Sequence, residues 1–238
     1  MGVPFLDTSV ILCSFNPYEI HKTKATGFVN NHHLISPIVY NEIKRIQKRR
    51  FTIYASILNL LQSLEQGGAN NLTFDDVHKR CFKFNYGMNT NDSGHLDGIF
   101  DKVLLELSLD KTTKLTSQLL TDFAIKISKI FNEIRFGALR IILFLDNPLN
   151  YQSRVVVPNV GKKFNKLHRF FKKIRGYPQH KNDVDILIHG VEHSCHTSTY
   201  LDIISNDKWQ VSIENDVKKY SSRIFNKLFF DIYLLSAI

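Results

Sequence analysis

The run Pro4-Phe5-Leu6-Asp7-Thr8-Ser9-Val10-Ile11-Leu12 decides how this chain is read. A short apolar segment delivers a carboxylate, two hydroxyl residues follow at once, and a second apolar run closes the stretch. The pattern predicts a β-strand over Phe5–Cys13, bounded by the turn-forming Asn16-Pro17. An ionised acid at the end of a buried strand is costly to desolvate. That cost is offset where a cation, or a water poised to attack a substrate, stands at the strand's carboxyl edge.

Outward from this stretch, elements alternate at first. Tyr18–Asn31 predicts a short helix, and His33-Leu34-Ile35-Ser36-Pro37-Ile38-Val39 a second strand with Pro37 near its end. A helix is expected from near Tyr40, with Glu42 in its first turn, continuing to Leu64 and ended by Gly67-Gly68-Ala69-Asn70-Asn71. Residues 70–98 are rich in Asn, Asp and Gly, with a short helix near Phe74–Phe82. From Ile99 to Leu145 apolar residues recur at helical spacing, predicting two helices split near Leu109–Thr113. Asn147-Pro148-Leu149-Asn150 is a break. Beyond it come a short strand at Val155–Val157 and a basic helix over Gly161–Gly176, then a helix from Val184 to His193 and a strand at Tyr200–Ser205. A helix near Glu214–Phe225 and a final strand over Phe229–Ile238 complete the pattern, without internal repeats.

The 238 residues, 43% hydrophobic and 12% aromatic, suffice for a large domain or a smaller one with an insertion. The formal charge of +9 favours a polyanionic partner, nucleic acid first and an anionic membrane second. Cys13, Cys81 and Cys195 are too few and too scattered for a disulfide framework, which fits a reducing compartment. The first apolar run lacks a basic start and is interrupted by Asp7, so it is not read as a signal peptide. No apolar stretch approaches the ~18 residues of a spanning helix. The expectation is a soluble cytoplasmic protein with no membrane partner.

Four carboxylates fall where strands end or helices begin: Asp7, Glu42, Asp185 and Asp207, the last closing Leu201-Asp202-Ile203-Ile204-Ser205-Asn206-Asp207. In a parallel α/β sheet such positions converge on the carboxyl edge, where ligands bind. Oxygens gathered there make a hard-cation site for Mg²⁺ or Mn²⁺. Helix capping explains any one of these acids and accounts poorly for all four. Asp183 and Asp185 compete for the third place. Residues two apart on a helix point about 200° away from each other, so one caps while the other faces the ion. The helical rotation alone leaves both open as the ligand.

These segments resemble the PIN-domain nucleases. Leu6-Asp7-Thr8-Ser9 is similar to that family's opening strand, and Ser36-Pro37-Ile38-Val39-Tyr40-Asn41-Glu42-Ile43 to its second strand and acid-bearing helix. Asp185-Ile186-Leu187-Ile188 matches the third acid, and Ile204-Ser205-Asn206-Asp207-Lys208 the final hydroxyl-x-Asp turn. The resemblance covers residues 1–50 and 178–238 or so. It implies an α/β PIN-like three-layer sandwich with a mostly parallel central sheet, its nuclease domain formed by residues 1–64 and 151–238 around a helical insertion at 65–150. It further implies metal-dependent endoribonuclease activity, with Asp7, Glu42, Asp185 and Asp207 as catalytic residues and Mg²⁺ or Mn²⁺ ligands. Ser9, Asp183, Ser205 and Asn206 are expected around them.

The insertion departs from the compact PIN toxins, and chain length weighs against the toxin half of a toxin–antitoxin pair. A helical protrusion here is similar to the minimal protein-only RNase P group, which implies structured RNA such as tRNA precursors as partner and self-association through the insertion. That group's Gly-bearing stretch after the last acid is absent, Lys208-Trp209-Gln210 standing in its place. A non-catalytic PIN-like module that binds RNA or protein is the alternative.

Two basic runs flank the acids: Lys44, Arg45, Lys48, Arg49 and Arg50, then Lys162, Lys163, Lys166, Arg169, Lys172, Lys173 and Arg175 with interleaved Phe. They are read as nucleic-acid contacts, against the plainer reading of a solvated helix face. Trp209 is a candidate for stacking on a base, or for a core role. His189-Gly190-Val191-Glu192-His193 also spells the inverted zinc-peptidase pattern. That reading requires a further ligand downstream and leaves Asp7 and Glu42 unexplained, so a zinc metallopeptidase ranks last.

Overall fold

The computed structural model describes residues 2–67, 72–84, 88, 90–157, 161–174, 180–226 and 228–238; Arg175 and the expected end of the basic helix at Gly176 lie outside them. The chain is a mixed α/β protein, mostly helical, with a small parallel sheet. In order, the elements are β1 (Val3–Leu6), α1 (Thr8–Phe15), α2 (Lys22–Asn30), α3 (Pro37–Gly67), α4 (Phe74–Phe84), α5 (Thr90–Glu106), α6 (Ser117–Asp146) and α7 (Pro148–Arg154). They continue with α8 (Lys162–Phe171), α9 (Lys181–Thr197), β2 (Leu201–Ser205), α10 (Lys208–Ser212), α11 (Glu214–Phe225) and β3 (Phe230–Leu234). Contacts divide the chain into two compact units, Met1–Lys44 with Gly137–Ile238, and Arg45–Phe136. Against the sequence boundaries at 64/65 and 150/151, the divisions fall inside α3 and α6.

The first unit is built on the sheet, in the order β1-β2-β3, all parallel, with Phe5 opposite Ile203 and Ile203 opposite Ile232. Phe5, Leu6 and the whole of β2 are buried. Beyond β1, single parallel bridges join Phe5 to Leu34 and Ile35 to Val155. The strand expected over His33–Val39 is therefore reduced to Leu34 and Ile35, and that at Val155–Val157 to one bridge. Pro37 opens α3 instead of closing a strand: Ser36 Oγ accepts from the N–H of Ile38 (2.9 Å) and Val39 (3.3 Å), and proline at the first helical position forfeits no bond. Glu42 consequently sits in the second helical turn, not the first.

The first strand also ends sooner than its sequence predicts. Leu6 is its last residue, and the Asp7 carbonyl accepts from the N–H of Val10 and Ile11 to start α1. Val10, Ile11, Cys13 and Phe15 are all buried in helical conformation. Burial has overridden the β-propensity of Val-Ile, which is a weak preference beside packing. The expected last strand over Phe229–Ile238 likewise stops at Leu234 and ends in a 3₁₀ turn, Leu235–Ala237.

Two glycines mark where helices press close. A Cβ on Gly190 of α9 would meet the Phe5 ring at 3.1 Å and Ile203 Cδ1 at 3.3 Å, so α9 lies directly on one face of the sheet. On the other face Phe28 of α2 joins Pro4, Ile204 and Tyr233 around an open cavity of about 540 Å³. A Cβ on Gly137 of α6 would fall 2.3 Å from Phe15 Cβ of α1, closer than real atoms approach.

The second unit is helical. The part of α3 in this unit buries Ile46, Ile53, Ile57 and Leu60 at helical spacing. Within the unit Tyr54 stacks on Phe131 at 4.0 Å, and Phe123 packs against Phe74 (5.1 Å) and Phe100 (5.2 Å). Buried Asp92 of α5 takes hydrogen bonds from Arg49 and Arg50 of α3. No helix among the described residues is long and apolar enough to cross a membrane.

Candidate active site

Asp7, His180 and Asp207 stand at the N-caps of α1, α9 and α10. Asp207 behaves as a cap, its Oδ1 accepting from the Trp209 N–H at 2.8 Å. Asp7 does not. Only 3% exposed, it makes no capping bond with its side chain. Its Oδ2 accepts from the hydroxyls of Ser9 (2.7 Å) and Ser205 (3.1 Å), while Oδ1 is buried with no hydrogen-bond partner among the described residues. An orphaned carboxylate oxygen in the interior is costly and calls for a reason.

The two serines tie the ends of β1 and β2 together. Ser9 Oγ accepts from the Asn206 backbone N–H at 3.0 Å, and Ser205 Oγ from the Asp207 N–H at 2.9 Å. Both hydroxyls are thereby oriented to donate to Asp7. Asn206 contributes its backbone. From α3, Glu42 accepts a hydrogen bond from Thr8 Oγ1 at 2.7 Å. Burial pushes the Asp7 carboxyl above the usual carboxylate range; the two serine bonds oppose this, and the charge of Glu42 adds to it.

The third acid of the group is Asp183, not the favoured Asp185. Asp183 Oδ2 lies 3.1 Å from His180 Nδ1, and Asp207 Oδ2 lies 3.6 Å from the same nitrogen. Burial first, and the charge of Asp7 next, push the Asp183 carboxyl up to about 6, with Asp207 adding to the rise and His180 opposing it. Asp185, two residues on, turns to α8, where its Oδ1 lies 3.2 Å from His168 Nε2. The helical rotation that allows one of the pair to face the acids selects the first-turn residue.

Among the described residues, His180, Asp183 and Asp207 are the His/Cys/Asp/Glu set whose ligand atoms converge, all within 4.8 Å. Neither Asp7 nor Glu42 belongs to it, and none of His189, Glu192 and His193 does. His189 and Glu192 are buried, burial lowers the pKa of both histidines, and the His189 ring sits 5.8 Å from Phe164. His180 escaped the sequence reading, although His180-Lys181-Asn182-Asp183 offered a signal: residues three apart across a helix start meet on one face. Its ring lies flat on Trp209, centroids 4.1 Å apart and 7° between planes.

The basic residues divide. Lys44 is engaged by Asp146 (2.9 Å) and the Tyr40 hydroxyl (3.0 Å), and Arg49 by buried Asp92. Both are ion-paired within the protein. Arg45 and Lys48 are exposed on α3. On α8, Lys162, Lys163, Lys166 and Arg169 are exposed, as are Lys172 and Lys173 just beyond it, while Leu167 and Phe171 are buried. The helix is amphipathic, and its interleaved aromatics pack inward or on neighbours, as Phe170 does on Tyr220 at 5.0 Å.

Comparison of the chain with family profiles, with curated proteins and with solved structures finds no match.

Proposed function

We propose that this protein is a divalent-metal-dependent endoribonuclease with a PIN-like catalytic unit. The observation that carries the reading is the buried, unpartnered Oδ1 of Asp7, which shares a charge cluster with Asp183 and Asp207 at the carboxyl end of parallel strands. Carboxylates this close repel one another unless a cation is bound between them. A nucleic-acid-binding surface has no use for such a group, since it repels phosphate.

Asp7, Asp183 and Asp207 would hold the ion, whose chemistry when bound is to activate water and neutralise charge at a phosphodiester. Ser9 and Ser205 keep the Asp7 carboxylate in one orientation. Glu42, oriented by Thr8, accepts the proton of the attacking water. The exposed cations of α8 track the phosphate backbone, with structured RNA such as tRNA precursors as the substrate class.

Cleavage of structured and single-stranded RNA with Mg²⁺ or Mn²⁺ tests this. Asp7→Asn and Asp183→Asn are expected to lose activity on the order of 100-fold or more. Asp185→Asn is expected to stay within about 3-fold of the wild type, since a residue off the ion costs little. Equal cutting by wild type and Asp7→Asn, or no cutting at all, overturns the catalytic reading and leaves an RNA-binding module.

A further inference from the structure

The acids alone would form an all-oxygen site. This chain adds a nitrogen. His180 Nδ1 lies between two carboxylates, 3.1 Å from Asp183 Oδ2 and 3.6 Å from Asp207 Oδ2. An octahedral ion with ligands at about 2.1 Å holds neighbouring donors about 3.0 Å apart, and a tetrahedral one about 3.4 Å. The first distance is that of octahedral neighbours and the second lies slightly beyond the tetrahedral value, with all three atoms inside 4.8 Å. An ordinary ion pair between His180 and Asp183 would explain the first contact. A second pair with Asp207 would explain the other; one shared ion explains both at once.

The imidazole is also held in place. The Trp209 indole lies parallel to it at 4.1 Å, fixing the ring plane, and Trp209 is itself tied to Asp207 through its backbone N–H. One aromatic and one carboxylate thus position the nitrogen and the oxygen together. A ring oriented by its surroundings is how proteins prepare a histidine ligand.

Imidazole is a borderline donor that first-row transition ions accept readily and Mg²⁺ accepts poorly. We infer that His180 is a direct metal ligand, making the centre a mixed imidazole–carboxylate site that selects Mn²⁺ or a similar transition ion over Mg²⁺. The inference rests on the metal-centre reading above and goes beyond it in naming the ligand and the ion class.

Pulsed electron paramagnetic resonance of the Mn²⁺-loaded wild-type protein, with Mn²⁺ and Mg²⁺ affinities by calorimetry, tests it without relying on activity. The expected result is a ¹⁴N coupling typical of a bound imidazole that disappears in His180→Gln. The same variant should lose about 10-fold or more in Mn²⁺ affinity while Mg²⁺ affinity changes by less than about 3-fold. Mn²⁺ bound in an Asp207-dependent manner, with no ¹⁴N coupling in the wild type and an unaltered Mn²⁺/Mg²⁺ ratio in His180→Gln, overturns the inference and leaves the carboxylate centre standing. Absence of binding by either ion to the wild type overturns both.

Discussion

Asp92 illustrates how a charge is kept in an interior. Burial works to raise its carboxyl, but hydrogen bonds and charge from Arg49 and Arg50 outweigh this and hold it below the usual carboxylate range. The folded pKa being depressed, the pair's contribution is present above the unfolded value of about 4 and is lost as pH falls through the folded one. Asp92→Asn leaves two arginines facing a neutral amide and should cost about 3 kcal/mol near pH 7. Denaturant unfolding of both proteins between pH 7 and pH 3 checks this, the gap narrowing below about pH 4. Asp7 is the opposite case, its carboxyl raised by burial with no cation among the main influences on it from the described residues. The contrast separates an acid held by two arginines from one held by hydroxyls.

At the scale of elements, the two close-packed glycines should respond differently to alanine. A methyl on Gly137 of α6 would overlap Phe15 Cβ at 2.3 Å, an atom next to the backbone that has no room to yield. The overpacking exceeds the gain of about 1 kcal/mol in helix propensity, for a net loss of about 2 kcal/mol. Gly190→Ala presses on the Phe5 ring and the tip of Ile203 at 3.1 and 3.3 Å, which shift more easily. Its propensity gain roughly offsets the strain, leaving stability within about 1 kcal/mol of the wild type. Equilibrium urea unfolding distinguishes the two. On α8, removing Lys166 and Arg169 together with Lys173 beyond its end should lower the slope of log affinity against log salt by about 2, at about 0.7 per single-strand phosphate contact. An unaltered slope would mean that this face is merely solvated.

For the whole molecule, 31 Lys and Arg against 22 Asp and Glu give a formal charge of +9, and attraction to polyanions follows without any ion in the site. RNA affinity measured in chelator should therefore stay within about 3-fold of that in Mn²⁺, while cleavage stops. The helices of the middle, the breaks at Gly67 and Asn147, and the strand leading to Asp207 were legible because long periodic stripes and Pro or Gly punctuation are local signals. Asp7 and Asp207 stand out for the same reason, each lying at the end of an apolar run, whereas Glu42 lies in the second turn of α3. The end of β1 at Leu6 was not legible, because Val10 and Ile11 favour a strand locally and are made helical by what buries them. Neither was the choice of Asp183 over Asp185, since a helix offers both and only its rotation against the sheet selects one. His180 joined the acids only when α9 and α10 brought two N-caps side by side. By itself the sequence determined the acids' order, the alternation of elements and the positive charge. Tertiary structure decided which carboxylates meet and which nitrogen stands between them, because convergence is a property of packing between segments far apart in the chain.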